Sequence, residues 1–339
     1  MIALIALVSL AVPKVDAPVE RIGLGSCMHQ NNPQPIWEQV LRARPDTFVF
    51  LGDNIYASQE SEKDKPAQYA KFLAVPNVLR LLESTRALAV WDDHDYGVND
   101  GGEEYPEKRQ AQKEFCDFWK VPADSPRRTR DGIYDAVTLG PEGRRVQFIL
   151  LDTRYNRSPL NRERNVDGSY NAYLPTEKGT MLGEPQWKWL EEQLRQPAQL
   201  RIICSSIQVV PEDHMFEKWS NLPAERTRLF TLIRDTRAEG VLFVSGDRHL
   251  AEISLCDGGV GYPLYDLTAS AINSSRKAWR YQEPNRHRVG TMNYGDNFGM
   301  IEIDWGKVDP VISLQIRGEE GESVIQQRFP LSLLKRRES

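Results

Sequence analysis

The groups with the greatest chemical reach in this chain fall at the ends of apolar runs. Phe48-Val-Phe-Leu51 is followed by Gly52, Asp53 and, three residues on, Tyr56, which brings a carboxylate and a phenol close together. The same order recurs elsewhere. Arg21–Gly25 leads to Cys27, Arg86–Trp91 to Asp93 and His94, Leu200–Val210 contains Gln208, and Val241–Gly246 leads to Asp247 and His249. Thiolate, carboxylate, phenolate and imidazole are the side chains that hold transition-metal or hard cations. A pair of such cations activates water and stabilises the charge of an in-line displacement at phosphorus. Each stretch taken alone has a plainer reading. Gly-Asp-Asn is ordinary turn chemistry, Asp92-Asp-His-Asp95 suits a solvated turn, and a glutamine in a strand is commonly polar surface. The repetition of strand, break and ligand is what singles these residues out.

The elements that must position them follow from the pattern of apolar residues. The runs at 48–51, 86–91, 145–151, 200–210 and 241–245 are short, β-branched or aromatic, and read as buried strands. Helical spacing is expected over 35–44, over 69–83 with a break near Pro76, and over 107–120, 185–194 and 223–239, the last ending at Gly240. Strand, helix and strand in alternation indicate βαβ units, whose ligands lie in the crevice outside the carboxyl ends of the strands. The later chain is mostly strand-like, at 251–255, 264–268, 299–305, 311–317 and 323–329. Residues 97–106, 156–183 and 276–296 read as loops, the second long enough to be functional. The expected fold class is α/β (α+β), two mixed β-sheets flanked by helices, in a single domain over residues 18–339.

Composition sets outer bounds. With 339 residues, 40% hydrophobic and 27% charged, the chain is that of a globular protein able to bury a core without disulfides. A formal net charge of −5 argues against a general nucleic-acid-binding module, and no interior run is apolar enough to span a membrane. Ile2–Val12 is almost wholly apolar and precedes Val15-Asp16-Ala17, so residues 1–17 read as an export signal, although the positive flank is missing and an N-terminal strand is the alternative. Export would place the protein in the periplasm or outside the cell; otherwise it is cytoplasmic. Cys27, Cys116, Cys204 and Cys256 contain no Cys-x-x-Cys pair, and if Cys27 is a ligand at least one of the others is free.

Taken together, Gly25-Ser-Cys27, Gly52-Asp-Asn-Ile-Tyr56, Trp91-Asp-Asp-His-Asp95, Asp152-Thr-Arg154 and Gly246-Asp-Arg-His249 resemble the calcineurin-like metallophosphoesterases, and among them the PhoD-like (alkaline phosphatase D) family. Leu267-Thr-Ala-Ser270 and Asn297-Phe-Gly299 extend the resemblance, which also touches the purple acid phosphatases. It implies a four-layer αββα sandwich and a binuclear site. Cys27 then stands where most of these enzymes have an aspartate, Asp53 bridges the metals, and Tyr56 and His249 complete a ferric site. Asp93 and Asp247 occupy places usually held by asparagine and histidine, and Gln208 a place where histidine is usual. That second, oxygen-rich site suits Ca²⁺ better than Zn²⁺.

The implied reaction is hydrolysis of a phosphoric ester by a metal-activated hydroxide. In it His94 contacts the phosphate or protonates the leaving oxygen, and Arg154 supplies the positive charge, as guanidinium pairs bidentately with phosphate. Monoesterase, diesterase and phospholipase D-type activities share this core. A non-catalytic binding protein on the same scaffold is the reading from another class, and it would predict missing ligands.

Overall fold

The computed structural model describes residues 16–58, 63–162, 172–275 and 283–336. The apolar stretch read as an export signal lies almost entirely in residues 1–15, outside the described residues.

The first third of the chain lays down β1 (Arg21–Gly25), β2 (Thr47–Leu51) and β3 (Arg86–Val90), parallel neighbours in that order. Between them run α1 (Trp37–Ala43), α2 (Lys65–Leu73) and α3 (Pro76–Ser84). The break expected near Pro76 separates α2 from α3. Proline has no N–H to continue the ladder and is at home in a first helical turn, while Val75 before it is extended. The one-turn α4 (Asp93–Tyr96) follows β3, and α5 (Lys108–Phe118) completes the helical layer.

A second sheet then forms from β4 (Asp135–Leu139), β5 (Val146–Leu150), β8 (Leu200–Cys204), β9 (Val241–Ser245), β10 (Ala251–Cys256), β11 (Leu264–Ala269) and β12 (Arg288–Asn293). A small separate hairpin, β6 (Asn161–Arg162) with β7 (Tyr173–Leu174), precedes β8. Helices α6 (Glu184–Leu194) and α7 (Pro223–Asp235) belong to this half. The chain finally returns to the first sheet as β13 (Phe298–Asp304), β14 (Val311–Arg317) and β15 (Ser323–Pro330), antiparallel to one another, with β13 also antiparallel to β1. The strand orders are β15-β14-β13-β1-β2-β3 and β12-β10-β11-β9-β8-β5-β4. In the second, β5, β8, β9 and β11 are parallel.

Strand β2 shows why the molecule has four layers. All five of its residues are buried, as expected where a parallel strand is covered on both faces. Side chains alternate across a strand, so Phe48 and Phe50 pack with Trp37, Phe72 and Phe115 of the helices. Val49 and Leu51 face the other way, into the core shared with Phe148, Ile203 and Phe243 of the second sheet. Phe50 lies 4.8 Å from Phe48 and 4.9 Å from Trp119 between ring centroids. Truncating it to alanine would cost about 3–5 kcal/mol.

Three expectations shift. The strand expected over 200–210 ends as a regular strand at Cys204, after which Ser205 and Ser206 turn their hydroxyls to the Ile207 carbonyl and to Asp92. The 156–183 connection contains the β6–β7 hairpin, and the 276–296 loop contains β12.

Candidate active site

Every parallel strand of the two sheets points its carboxyl end at one region. Cys27 follows β1, Asp53 and Tyr56 follow β2, and Asp92 to His94 follow β3. Asp152 and Arg154 follow β5, Ser206 follows β8, Asp247 and His249 follow β9, and Ser270 follows β11. Two glycines let the loops close this tightly. A Cβ on Gly52, where φ is +96°, would stand 2.5 Å from Asp92 Cβ. One on Gly246 would stand 2.9 Å from the Leu51 carbonyl oxygen.

Four of the candidate ligands also adopt backbone conformations that L-residues seldom take: Cys27 (φ 56°), Asp53 (49°), Asp247 (68°) and His249 (55°). Such conformations persist where surrounding structure imposes them, and they gather at functional sites.

One ligating atom each from Cys27, Asp53 and His249 lies within 4.8 Å of the other two. Cys27 Sγ is 3.5 Å from Asp53 Oδ2 and 3.2 Å from Ser270 Oγ, and Ser270 Oγ also accepts the His249 backbone N–H at 2.9 Å. His249 Nδ1 meets the Ser274 carbonyl oxygen, which assigns the proton to Nδ1 and turns the Nε2 lone pair toward Tyr56 Oη, 3.5 Å away. That is the usual way of orienting a ligating imidazole. The Tyr56 ring is stacked with His29 at 4.7 Å and tilted against His94 at 4.2 Å.

A second group, Asp53, Asp93 and His94, shares Asp53 with the first, and a third joins Asp92, Asp93 and Asp247. Asp53 therefore faces both ways: Oδ2 toward Cys27, and Oδ1 toward the backbone N–H of His94 at 3.4 Å. Asp93 Oδ2 accepts the Asp100 N–H at 2.8 Å, while its Oδ1 is buried with no hydrogen-bond partner among the described residues. Asp92 Oδ2 is orphaned in the same way, although Oδ1 accepts from Arg154 Nε at 2.7 Å and Ser206 Oγ at 2.5 Å.

Protonation equilibria reflect this crowding. Burial, then Asp93 and Cys27, push the Asp53 carboxyl well above the usual carboxylate range. Burial likewise raises the Cys27 thiol to about 11 and the Asp92 carboxyl to about 8, in the second case against the pull of Arg154. Burial and the nearby Asp92 raise Asp247. For Asp93 the effect of burial is outweighed by His94, Arg154 and the Asp100 N–H, which hold it below its ordinary value. Acids gathered this densely away from water call for positive charge. Thiolate, phenolate and imidazole on one side of Asp53 and carboxylates on the other, with two orphaned carboxylate oxygens, fit a pair of cations.

Two residues from the sequence reading sit differently. Arg154 is fully buried, with Nη2 2.5 Å from Asp92 and 2.7 Å from Glu217, so its guanidinium is engaged by carboxylates beneath the site. Gln208 donates its amide to Glu252 and Thr268 at 2.8 Å each, leaving Oε1 buried and without a hydrogen-bond partner among the described residues. The sequence alone assigns no individual role to Asp92, Asp95, Asp100 or Ser270. Asp95 accepts the backbone N–H groups of Asn54, Ile55 and Asp92 and so ties the β2 and β3 loops together. The run of three acids and an imidazole at 92–95 was the available signal, but adjacent carboxylates differ in task only through the groups they meet. Asp152, by contrast, accepts from Trp91 Nε1 and the N–H groups of Ile133, Arg154 and Tyr155, a structural role. The site opens to solvent through a cleft of about 460 Å³ lined by His29, Tyr56, His94, Asn99, His249 and Asn273.

The structure of PhoD superposes with a TM-score of 0.68 at 16% identity, covering 94% of this chain and 73% of that one. A dimetal phosphatase from Danio rerio superposes at 0.54 and 15% identity, covering 93% and 100%. GAP50, the anchor in the inner membrane complex of Plasmodium, does so at 0.59 and 13%, covering 92% and 89%. At these identities the likenesses establish the fold, which is the expected sandwich of two mixed sheets between helices. In sequence, alkaline phosphatase D of Bacillus subtilis (strain 168) is 20% identical over 280 residues, 71% of this chain. The chain spans about half the length of that relative, 48%. Residues 22–304, which run from β1 to the last residue of β13 and so include every candidate ligand, match the PhoD-like phosphatases, and the chain belongs to that family.

Proposed function

We propose that this protein is a metal-dependent phosphoric ester hydrolase, acting on phosphomonoesters or phosphodiesters. The observation that carries the reading is Asp53, one carboxylate shared by two groups of potential ligands, with Oδ2 toward Cys27 and Oδ1 toward the His94 N–H. The fold alone would not decide, since it also serves an anchor in Plasmodium; the filled ligand set favours turnover over a binding role. Cys27, Tyr56, Asp53 and His249 would hold one cation, for which anionic sulfur and oxygen ligands favour Fe³⁺. Asp53, Asp93 and Asp247, with Gln208 Oε1 as a further acceptor, would hold a harder ion such as Ca²⁺. Bound there, the metals would lower the pKa of water and draw off charge building at phosphorus.

The chain's own groups account for the remainder. Asp53 keeps the two ligand groups in register. Arg154 and Ser206 hold Asp92 Oδ1 and leave Oδ2 toward the site. His94 stands at the cleft with Nδ1 2.5 Å from Ser58 Oγ, so its Nε2 edge is the one able to meet a leaving oxygen.

The test is metal analysis of protein purified without chelator, with turnover on generic mono- and diesters. His94→Ala should keep both metals while kcat falls roughly 10²–10⁴-fold, and the loss should shrink for an activated phenol leaving group. Loss of metal in that variant would make His94 a ligand. Absence of bound metal and of turnover in the wild type would refute the proposal.

A further inference from the structure

Asp93 is held by something outside the ligand set. Its Oδ2 accepts the backbone N–H of Asp100 at 2.8 Å, and its other oxygen is the buried, orphaned Oδ1. Fixing one oxygen of a carboxylate selects the rotamer in which the second is presented. The peptide that does this is itself unusual. Asp100 has φ +53°, in the left-handed region that non-glycine residues seldom take, and its contacts hold it there.

Those surroundings come from distant parts of the chain. Asp100 Oδ2 accepts the Tyr173 hydroxyl at 2.6 Å and the Asn99 amide at 2.8 Å, and its carbonyl oxygen accepts from Arg157 Nη2. Tyr173 is fixed in turn. It lies in β7 opposite Arg162, its N–H donates to the Met215 carbonyl at 2.9 Å, and its carbonyl accepts the Asn221 amide at 3.1 Å. The Arg162 guanidinium stands over its ring at 5.3 Å.

We propose that Tyr173 and Asp100 form a positioning relay for Asp93: the hairpin β6–β7, through the Tyr173 hydroxyl, sets the Asp100 peptide, and that peptide presents Asp93 Oδ1 to the second cation. This rests on the reading of Asp93 as a ligand of that cation. Neither Tyr173 nor Asp100 touches the ion through its side chain; both act through the Asp100 N–H. The small hairpin thereby becomes a determinant of second-site affinity, although it belongs to neither main sheet.

The experiment uses the full chain, stripped by chelator and reloaded with Ca²⁺ in a calorimeter, beside melting of the stripped protein. Tyr173→Phe removes only the hydroxyl. Asp100→Gly keeps the N–H and accepts positive φ without strain, but releases Tyr173. Each should weaken the Ca²⁺ site roughly 10-fold, as losses around a metal's ligands commonly do, with iron content unchanged. The double variant should be no weaker than either single, because both cut one relay. A merely structural role would lower the melting temperature and leave Ca²⁺ affinity as in the wild type, which would overturn the proposal, as would singles whose effects multiply. Wild-type protein that binds Ca²⁺ but hydrolyses no ester would refute the phosphoesterase reading and leave the relay standing. Wild-type protein that takes up no Ca²⁺ would refute the relay.

Discussion

Cys27 Sγ lies 3.5 Å from Asp53 Oδ2, and both residues stand in the left-handed backbone region. The thiol and carboxylate come from adjacent parallel strands, so the contact is set by two loop conformations rather than by either side chain's reach. With anionic sulfur and Tyr56 as ligands, the loaded protein should contain iron and show a visible charge-transfer band. Cys27→Ala should lose the band and more than about 100-fold in turnover. Full colour, iron and activity in that variant would make Cys27 only a buried thiol. Asp53→Asn is the matching change, since asparagine tolerates the same backbone; it should empty both sites.

Arg154 yields a stability prediction. It is wholly buried between Asp92 and Glu217, and removing one member of a buried ion pair leaves charge without compensation. Arg154→Ala should cost about 3–5 kcal/mol in urea unfolding and lower metal occupancy through Asp92. An arginine that merely contacts substrate would instead raise KM at unchanged stability, and that result would return it to the phosphate-binding role.

His214 gives the stability of the chain a pH slope away from the ligands. It is buried, its Nδ1 accepts the Phe216 N–H, and its Nε2 has no hydrogen-bond partner among the described residues. Burial, then the cations Arg248, Lys218 and Arg288, hold the imidazole well below its ordinary value of 6.5. The folded state therefore keeps it neutral where the unfolded chain binds a proton, and stability falls as pH drops below about 6.5. His214→Phe should flatten unfolding free energy between about pH 6.5 and 5 relative to wild type. Parallel profiles for the two proteins would show that the imidazole titrates normally.

Gly52 separates backbone demand from chemistry. Gly52→Ala introduces a Cβ at φ +96° against Asp92 and should destabilise by more than about 1 kcal/mol, moving the Asp92 loop. Thermal melting with metal analysis checks both effects. An unchanged melting temperature and metal content would mean that the loops can separate without loss.

The strands carrying ligands were legible because each is a continuous apolar run ended by glycine or a polar turn, a pattern that parallel strands covered on both faces require. Their convergence was legible for the same reason, since such strands present their carboxyl ends together. What the sequence did not show is how neighbouring carboxylates divide their tasks. Asp92, Asp93 and Asp95 stand side by side, yet Asp95 binds three backbone N–H groups, Asp92 meets Arg154, and Asp93 meets Asp100. Those partners lie up to 62 residues away, and no local spacing encodes them. The guanidinium chemistry of Arg154 is visible in the sequence, but the depth to which β5 carries it appears only in three dimensions. The split at Pro76 was readable because proline acts locally; the end of β8 was not, because the apolar run continues past it through Ile207, Val209 and Val210, and the aspartate that Ser206 Oγ meets is 114 residues away.

The pairing of β1 with β13, Arg21 opposite Glu302, has a consequence in time. Every strand of the second sheet falls between residues 135 and 293, so that sheet can assemble while the chain is still being synthesised. The first sheet cannot close until β13 has emerged, because β1 has its antiparallel neighbour there. Cys27 and Asp53 come from the sheet that closes last, and Asp247 and His249 from the one that closes first. Each ligand set therefore draws on both sheets, and metal capture awaits the final strands. Nascent chains halted before β13 should acquire no metal, while those halted after β15 should.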